Sequence, residues 1–147
     1  MENNIVPKMT SPQAVVEDCR LIEVFKIQDP RGNIGVVEKD IVPFVTKRVY
    51  YLYDIPSSAS RGGHAHKELF QFLIALSGSF DVLIQDGCSK KKITLNKPDV
   101  GLLIKPGIWR ELENFSSGAV CLVLASDVYI EEDYIRSFDD FLSFKAR

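Results

Sequence analysis

The chain has 147 residues, 46% of them apolar and 26% charged, with a net charge of −2. That length suits a single domain with a real hydrophobic core, and that composition excludes a disordered or fibrous chain. The charge gives no reason to expect nucleic acid or an anionic membrane as partner, although a local cationic site for a small anion remains open.

In chain order, residues 1–14 are polar, carry Pro7 and Pro12, and read as a loose N-terminal arm. The opening MENNIVPKMTSPQ lacks the apolar run of a signal peptide. No segment reaches the roughly 18 unbroken apolar residues of a membrane span, so a cytoplasmic protein is expected. An extended stretch covers Cys19–Ile27, and DPRG (Asp29–Gly32) is a turn signal. NIGVVEK reads as the next strand. KRVYYLYDI (Lys47–Ile55) is strongly strand-like. Its alternation puts Arg48, Tyr50 and Leu52 on one face and Val49, Tyr51 and Tyr53 on the other. PSSASRGG reads as a loop, and the histidines after it as the opening of a strand. Phe70–Leu76 is a further strand. SFDVLIQ alternates Phe80, Val82 and Ile84 against Asp81, Leu83 and Gln85, and Asp86-Gly87 signals a hairpin. KKITL, VGLLIK and AVCLVLA follow, with turn-rich links between them. Only EEDYIRSFDDFLSF changes period: Ile135, Phe138 and Leu142 fall at three- and four-residue spacing behind acidic residues, predicting a short C-terminal helix. Many short strands with Gly- and Pro-rich turns predict an all-β barrel or jelly roll. An immunoglobulin-like sandwich would put its ligand residues on end loops instead.

Cys19, Cys88 and Cys121 are scattered and odd in number, which suggests neither zinc nor a disulfide framework. The chain's only two histidines, His64 and His66, stand two apart after Gly62-Gly63. In an extended segment they share one face. Two imidazoles on one face can hold a metal or share acid–base work near neutral pH. A metal needs further ligands, and the chain has no third histidine. Gln71 is a weak neutral ligand, and Arg110 is a fixed cation that cannot ligate. The competing reading is a structural pair.

His64-Ala65-His66 with Gln71 and Gly78, and Pro106-Gly107 before Trp109-Arg110, resemble the two motifs of the cupins. Metal-binding cupins place a glutamate at the position of Gln71 and a third histidine near the second motif. Over about residues 24–141, VPFVTKRVYYLYD, RGGHAHKELFQFLIALSGSFDVLIQDG, VGLLIKPGIWRELENFSSGAVCLVLASDVY and EEDYIRSFDDF together resemble the sugar 3,4-ketoisomerases. The resemblance implies a cupin fold, no metal or other cofactor, and a homodimer that exchanges N-terminal strands. It implies a dTDP-4-oxo-6-deoxyhexose substrate and 3-oxo sugars destined for amination. It places the catalytic pair at His64 and His66; of the two, His64 is expected as the base at C3 and His66 as the partner that shuttles or orients. Tyr50 is a candidate donor to the sugar oxygens, against a rival reading as core. For the pyrophosphate, guanidinium groups offer paired donors. Arg61 leads, Arg48 lies on the Tyr50 face, and Arg31 would reach a neighbouring site if strands swap. Arg110 and Gln71 are expected in the lumen beside the sugar. Trp109 reads as core and SKKK (Ser89–Lys92) as a solvated hairpin edge. An epimerase of similar fold, a metal-dependent cupin and a non-catalytic sugar-binding cupin remain competing classes. The epimerase would work with a His–Asp pair and a tyrosine acid, and nothing in the sequence marks such an aspartate.

Overall fold

The computed structural model describes residues 11–147. The expected arm lies outside the described residues over 1–10. Over Ser11–Gln13 it forms a 3-10 turn, and Ala14 and Val16 are already buried. The Val16 N–H donates to the Asp86 carboxylate at 3.0 Å, and Lys145 Nζ donates to the Ala14 carbonyl. The arm therefore ends earlier than its polar composition suggested, because buried contacts on its last residues override composition.

Twelve strands and one α-helix follow: β1 (Arg20–Glu23), β2 (Phe25–Ile27), β3 (Ile34–Val36), β4 (Arg48–Leu52), β5 (Arg61–His66), β6 (Gln71–Ser77), β7 (Phe80–Gln85), β8 (Lys90–Leu95), β9 (Val100–Ile104), β10 (Trp109–Glu113), β11 (Val120–Ala125), β12 (Tyr134–Ile135) and α1 (Phe138–Lys145). They build two five-stranded antiparallel sheets, in the orders β1-β9-β6-β11-β4 and β12-β5-β10-β7-β8, and a two-stranded ribbon, β2-β3. The two large sheets pack over one core. Leu73, Ala75, Leu102, Ile104 and Cys121 of the first meet Phe80, Val82, Ile84, Ile93 and Leu112 of the second. Neither sheet closes on itself, so the described residues form facing sheets with free edges rather than a closed barrel.

The sheets are covered on their outer faces as well. Val24, Val42 and their neighbours lie over Phe72, Ile74, Leu103 and Leu124 of the first sheet. Helix α1 lays Phe141 and Phe144 against Ala65, Trp109 and Ile135 of the second. Ser137 caps this helix, its hydroxyl accepting from the Asp140 N–H. The helix begins seven residues after Glu131, and EED is a 3-10 turn leading into β12. Its buried face is Phe141 and Phe144, while Phe138 and Leu142 are only partly covered. The extended stretch Cys19–Ile27 is likewise split. Val24 turns inward and donates its N–H to the Asp99 carbonyl, separating β1 from β2. Within the chain, β1 pairs with β9, Arg20 opposite Leu103.

The histidines close a strand rather than open one. The glycine pair that reads as loop is inside β5, which pairs with β10 and β12. Between Arg110 and Leu112 the β10 register slips, and Gly62 meets the slip with a φ of 98°, a conformation that L side chains rarely adopt.

Candidate active site

At one end of the space between the sheets, inward-facing rows change from apolar to polar. On β6 the row is Gln71, Leu73, Ala75; on β4 it is Arg48, Tyr50, Leu52; on β10 it is Arg110, then Leu112. Register aligns the polar ends. Ala125 lies between Gln71 and Arg48, and Arg110 pairs with His64 across to β5. The result is a cleft of about 530 Å³ whose lining includes Tyr50, His64, Gln71 and Tyr134. Arg48, Arg61, Arg110 and Arg136 also line it, and among the described residues no carboxylate does. A chain of net charge −2 thus concentrates positive charge in this polar recess between the sheets.

Arg110 is fully buried. Its Nη1 donates to Gln71 Oε1 at 2.6 Å, and its Nε and Nη2 donate to the Ile108 carbonyl at 3.3 and 3.0 Å. Burial pulls its pKa down to about 10, so it stays cationic at neutral pH. Gln71 Nε2 in turn donates to the Tyr50 hydroxyl at 2.9 Å. Each donor in this chain points the same way, leaving the Tyr50 proton free to be donated onward. Burial raises the Tyr50 pKa, which keeps that proton in place at neutral pH. Arg48 lies 5.3 Å from the Tyr50 ring centroid and 5.8 Å from that of Tyr129. Its buried Nε and Nη2 have no hydrogen-bond partner among the described residues. Buried donors in that state suit an anionic oxygen.

The two histidines meet end to end, His64 Nε2 to His66 Nε2 at 3.1 Å. His66 Nδ1 is 2.9 Å from Asp133 Oδ2, and the Glu68 N–H donates to Asp133 Oδ1 at 2.8 Å. His64 lines the cleft, whereas His66 is wholly buried behind it. Tyr134 packs against both rings, at centroid distances of 5.2 and 4.4 Å. Burial, then the charges of Arg110 and His66, pushes His64 down to about 2. Burial likewise pushes His66 down to about 4, outweighing the upward pull of Asp133. Burial raises Asp133, but hydrogen bonds from His66 and the Glu68 backbone prevail and hold it below the usual carboxylate range. At neutral pH the site therefore holds two neutral imidazoles and one carboxylate.

His64, Tyr50, Gln71, Arg110, Arg48 and Arg61 thus share the cleft, with His66 in contact from behind. Arg31 does not join them: it sits in the turn between β2 and β3, its side chain 90% exposed and paired with Asp29. Trp109 is core, under α1. Lys90–Lys92 lie exposed on the edge strand β8. Sequence reasoning missed Asp133, Tyr134 and Arg136. Arg136 stacks 4.3 Å from the Tyr134 centroid and is held by Glu131 through two ionic hydrogen bonds of 2.7–2.8 Å. Their signal was the DYIR segment, legible only once β12 is seen to pair with the histidine strand. Among the described residues, no three His, Cys, Asp or Glu side chains are arranged to hold a metal ion.

A two-sheet all-β fold with an imidazole pair in a cationic cleft defines a small-molecule site of the cupin type. Residues 17–146 match the family model described as FdtA, WxcM-like, C-terminal. The TDP-4-oxo-6-deoxy-alpha-D-glucose-3,4-oxoisomerase of Aneurinibacillus thermoaerophilus is 45% identical over 129 residues, 87% of this chain and 93% of that protein. A 3,4-ketoisomerase crystal structure from Helicobacter canadensis superposes with a TM-score of 0.86 at 44% identity, covering 88% of this chain and 98% of that one. A histidine-to-asparagine mutant of the 3,4-ketoisomerase QdtA from Thermoanaerobacterium thermosaccharolyticum, solved with TDP-4-keto-6-deoxyglucose, gives 0.83 at 41% identity, covering 85% and 91%. The chain belongs to the FdtA-like sugar 3,4-ketoisomerase family of the cupin superfamily.

Proposed function

We infer that this protein is a dTDP-4-oxo-6-deoxy-sugar 3,4-ketoisomerase of deoxysugar biosynthesis, moving the substrate carbonyl from C4 to C3. The observation that carries this reading is a cleft with a neutral imidazole pair at one wall, four arginines around it and, among the described residues, no carboxylate lining it. The reaction takes a proton from C3, passes through an enediol(ate) and delivers a proton to C4. His64, neutral and facing the cleft, is the base for C3. General acid–base catalysis of this kind contributes about 10²–10⁴-fold. His66 supports it from behind. Tyr50, whose hydroxyl oxygen already accepts from Gln71, donates to a sugar oxygen. Arg110 offsets negative charge on the enediolate through the Gln71–Tyr50 chain. Arg48 and Arg61 take the pyrophosphate, Arg48 with the two donors that no described residue satisfies. The reaction uses no metal: the cupin ligand positions hold Gln71 and the cation Arg110, so turnover should survive exhaustive chelation. Loss of turnover restored by one divalent ion would reverse that reading.

The His66–Asp133 contact is the feature an epimerase of similar fold would share. Proton NMR with dTDP-4-oxo-6-deoxyglucose in heavy water separates the two. Isomerisation appears as a new C3 carbonyl and a new hydrogen at C4, carried over from C3 or exchanged with solvent on His64, and epimerisation as exchange with the carbonyl still at C4. An unchanged substrate spectrum would leave only a binding protein.

The finer architecture belongs to the same reading. The single domain closes as a jelly roll when a second copy covers the free edges, and the dimer lies in the cytoplasm. Because β1 is already paired to β9 within the chain, the β2-β3 ribbon is the segment left to cross to the partner. It carries Arg31 toward the partner's cleft.

A further inference from the structure

We propose that Asp133 is a positioning residue that acts through His66 on His64, holding His66 in the Nδ1–H form so that its Nε2 lone pair faces His64. The proposal rests on His64 being the base at C3. The Asp133 carboxylate, when ionised, can only accept hydrogen bonds. At 2.9 Å from His66 Nδ1 it requires the proton on that nitrogen. A neutral His66 then has a bare Nε2, and the 3.1 Å contact requires that His64 donate from its own Nε2. The groups therefore form a line, Asp133–His66–His64, whose last member alone borders the cleft. Tyr134 packs on both rings, and the charged groups around the line are Arg110 on β10, Arg48 on β4 and Arg136 beyond β12.

In the forward step the C3–H bond breaks and its proton joins His64. The bonding pair becomes the C3–C4 double bond, and the carbonyl pair moves onto O4. The new His64 imidazolium is stabilised by donating to His66, whose partner Asp133 carries the compensating charge. No proton needs to reach Asp133. In the return step the imidazolium gives its proton to C4, the O3 proton passes to O4, and the carbonyl forms at C3. Protons and electrons balance with no co-reactant. His66 thus contributes without touching the sugar.

Asp133→Asn is the informative variant. Its amide oxygen keeps the bond from the Glu68 N–H, while its NH₂ replaces the oxygen facing His66 and forces the opposite tautomer. Turnover should fall about 10²–10⁴-fold, the range of general acid–base catalysis, with KM and calorimetric binding of dTDP near the parent values. With only two histidines in the chain, ¹⁵N spectra of the histidine-labelled protein can be assigned. The protonated His66 nitrogen should move from Nδ1 to Nε2. Adding Asp133→Asn to His66→Asn should cost nothing further, since both act in one line. Asp133→Glu, which retains the carboxylate, should recover part of the rate. Parent-rate turnover in Asp133→Asn with an inactive His64→Asn would overturn this inference and spare the base assignment. Loss of dTDP binding or of folding in both Asp133 variants would mark a merely structural residue and overturn it too. Parent-rate turnover in His64→Asn would instead remove the base assignment itself.

Discussion

Two imidazoles held neutral inside a cationic cleft set both the chemistry and an acid sensitivity. His64→Asn retains size and polarity but has no lone pair basic enough to take a proton. Turnover and solvent exchange at C3 should fall about 10²–10⁴-fold. Calorimetric binding of the dTDP-sugar should persist, since it rests on Arg48 and Arg61. Exchange at C3 at the parent rate would place the base elsewhere. Acid stability follows from the same burial. In the unfolded chain both histidines titrate at their ordinary 6.5; folded, His66 takes a proton only near 4 and His64 only near 2. Between these values the unfolded chain binds more protons, so acid favours unfolding. Histidine-linked stability is full above about pH 6.5 and declines as pH falls through 6 and 5 toward 4. The urea midpoint should drop over that window, and replacing both histidines by Asn should flatten the drop; an unchanged slope would contradict their burial as neutral groups. The histidines, Tyr50, Gln71 and Arg110 were legible because alternation assigns faces and the His-x-His spacing is rare by chance. Asp133 was not. It lies 67 residues from His66, inside an acidic run that local reasoning assigns to a helix start.

Strands in this fold were easiest to read where one face is buried and the other solvated. β8 is the clearest case, with Ile93 and Leu95 buried and Lys92 and Thr94 exposed. β5 was hidden because Gly62 and Gly63 mimic a loop. What makes them strand is pairing to β10, with Gly62 absorbing the register slip. The end of the chain misled for the opposite reason. Ile135 has helical spacing from Phe138 and Leu142, yet β12 draws it into the sheet through its pairing with Ala65. Tertiary pairing overrode a local period. The same closeness of packing fixes Gly101 on β9, where a β-carbon would overlap the ring of buried Phe72. Phe72 is fully enclosed in the outer layer of the first sheet and has nowhere to retreat. Gly101→Ala should therefore destabilise by about 1–3 kcal/mol, the usual cost of overpacking a well-filled core. Urea unfolding measures it directly, and a midpoint equal to the parent's would mean that the ring relaxes freely.

At the scale of the whole molecule, apolar residues stay uncovered in two places in the single chain. Phe25, Ile27 and Ile34 on the β2-β3 ribbon are 45–60% exposed, and Val49 and Tyr51 on β4 are 54% and 61% exposed. β4 is a free edge of its sheet, and the ribbon pairs only with itself. A lone two-stranded ribbon is marginally stable in water, and contiguous apolar exposure marks an interaction surface. A second copy of the chain, related by a two-fold axis, would cover both at once. Sedimentation at micromolar concentration should give a dimer. Phe25→Glu combined with Tyr51→Glu places charge in the buried centre of that interface and should yield a monomer. If the ribbon carries Arg31 to the partner's cleft, Arg31→Ala should weaken dTDP-sugar binding in the dimer. In the monomeric variant the same change should have no effect, because Arg31 does not reach the cleft of its own chain. A parent protein that sediments as a monomer would remove the dimer from this reading, and an Arg31 effect that persists in the monomer would remove the crossing ribbon.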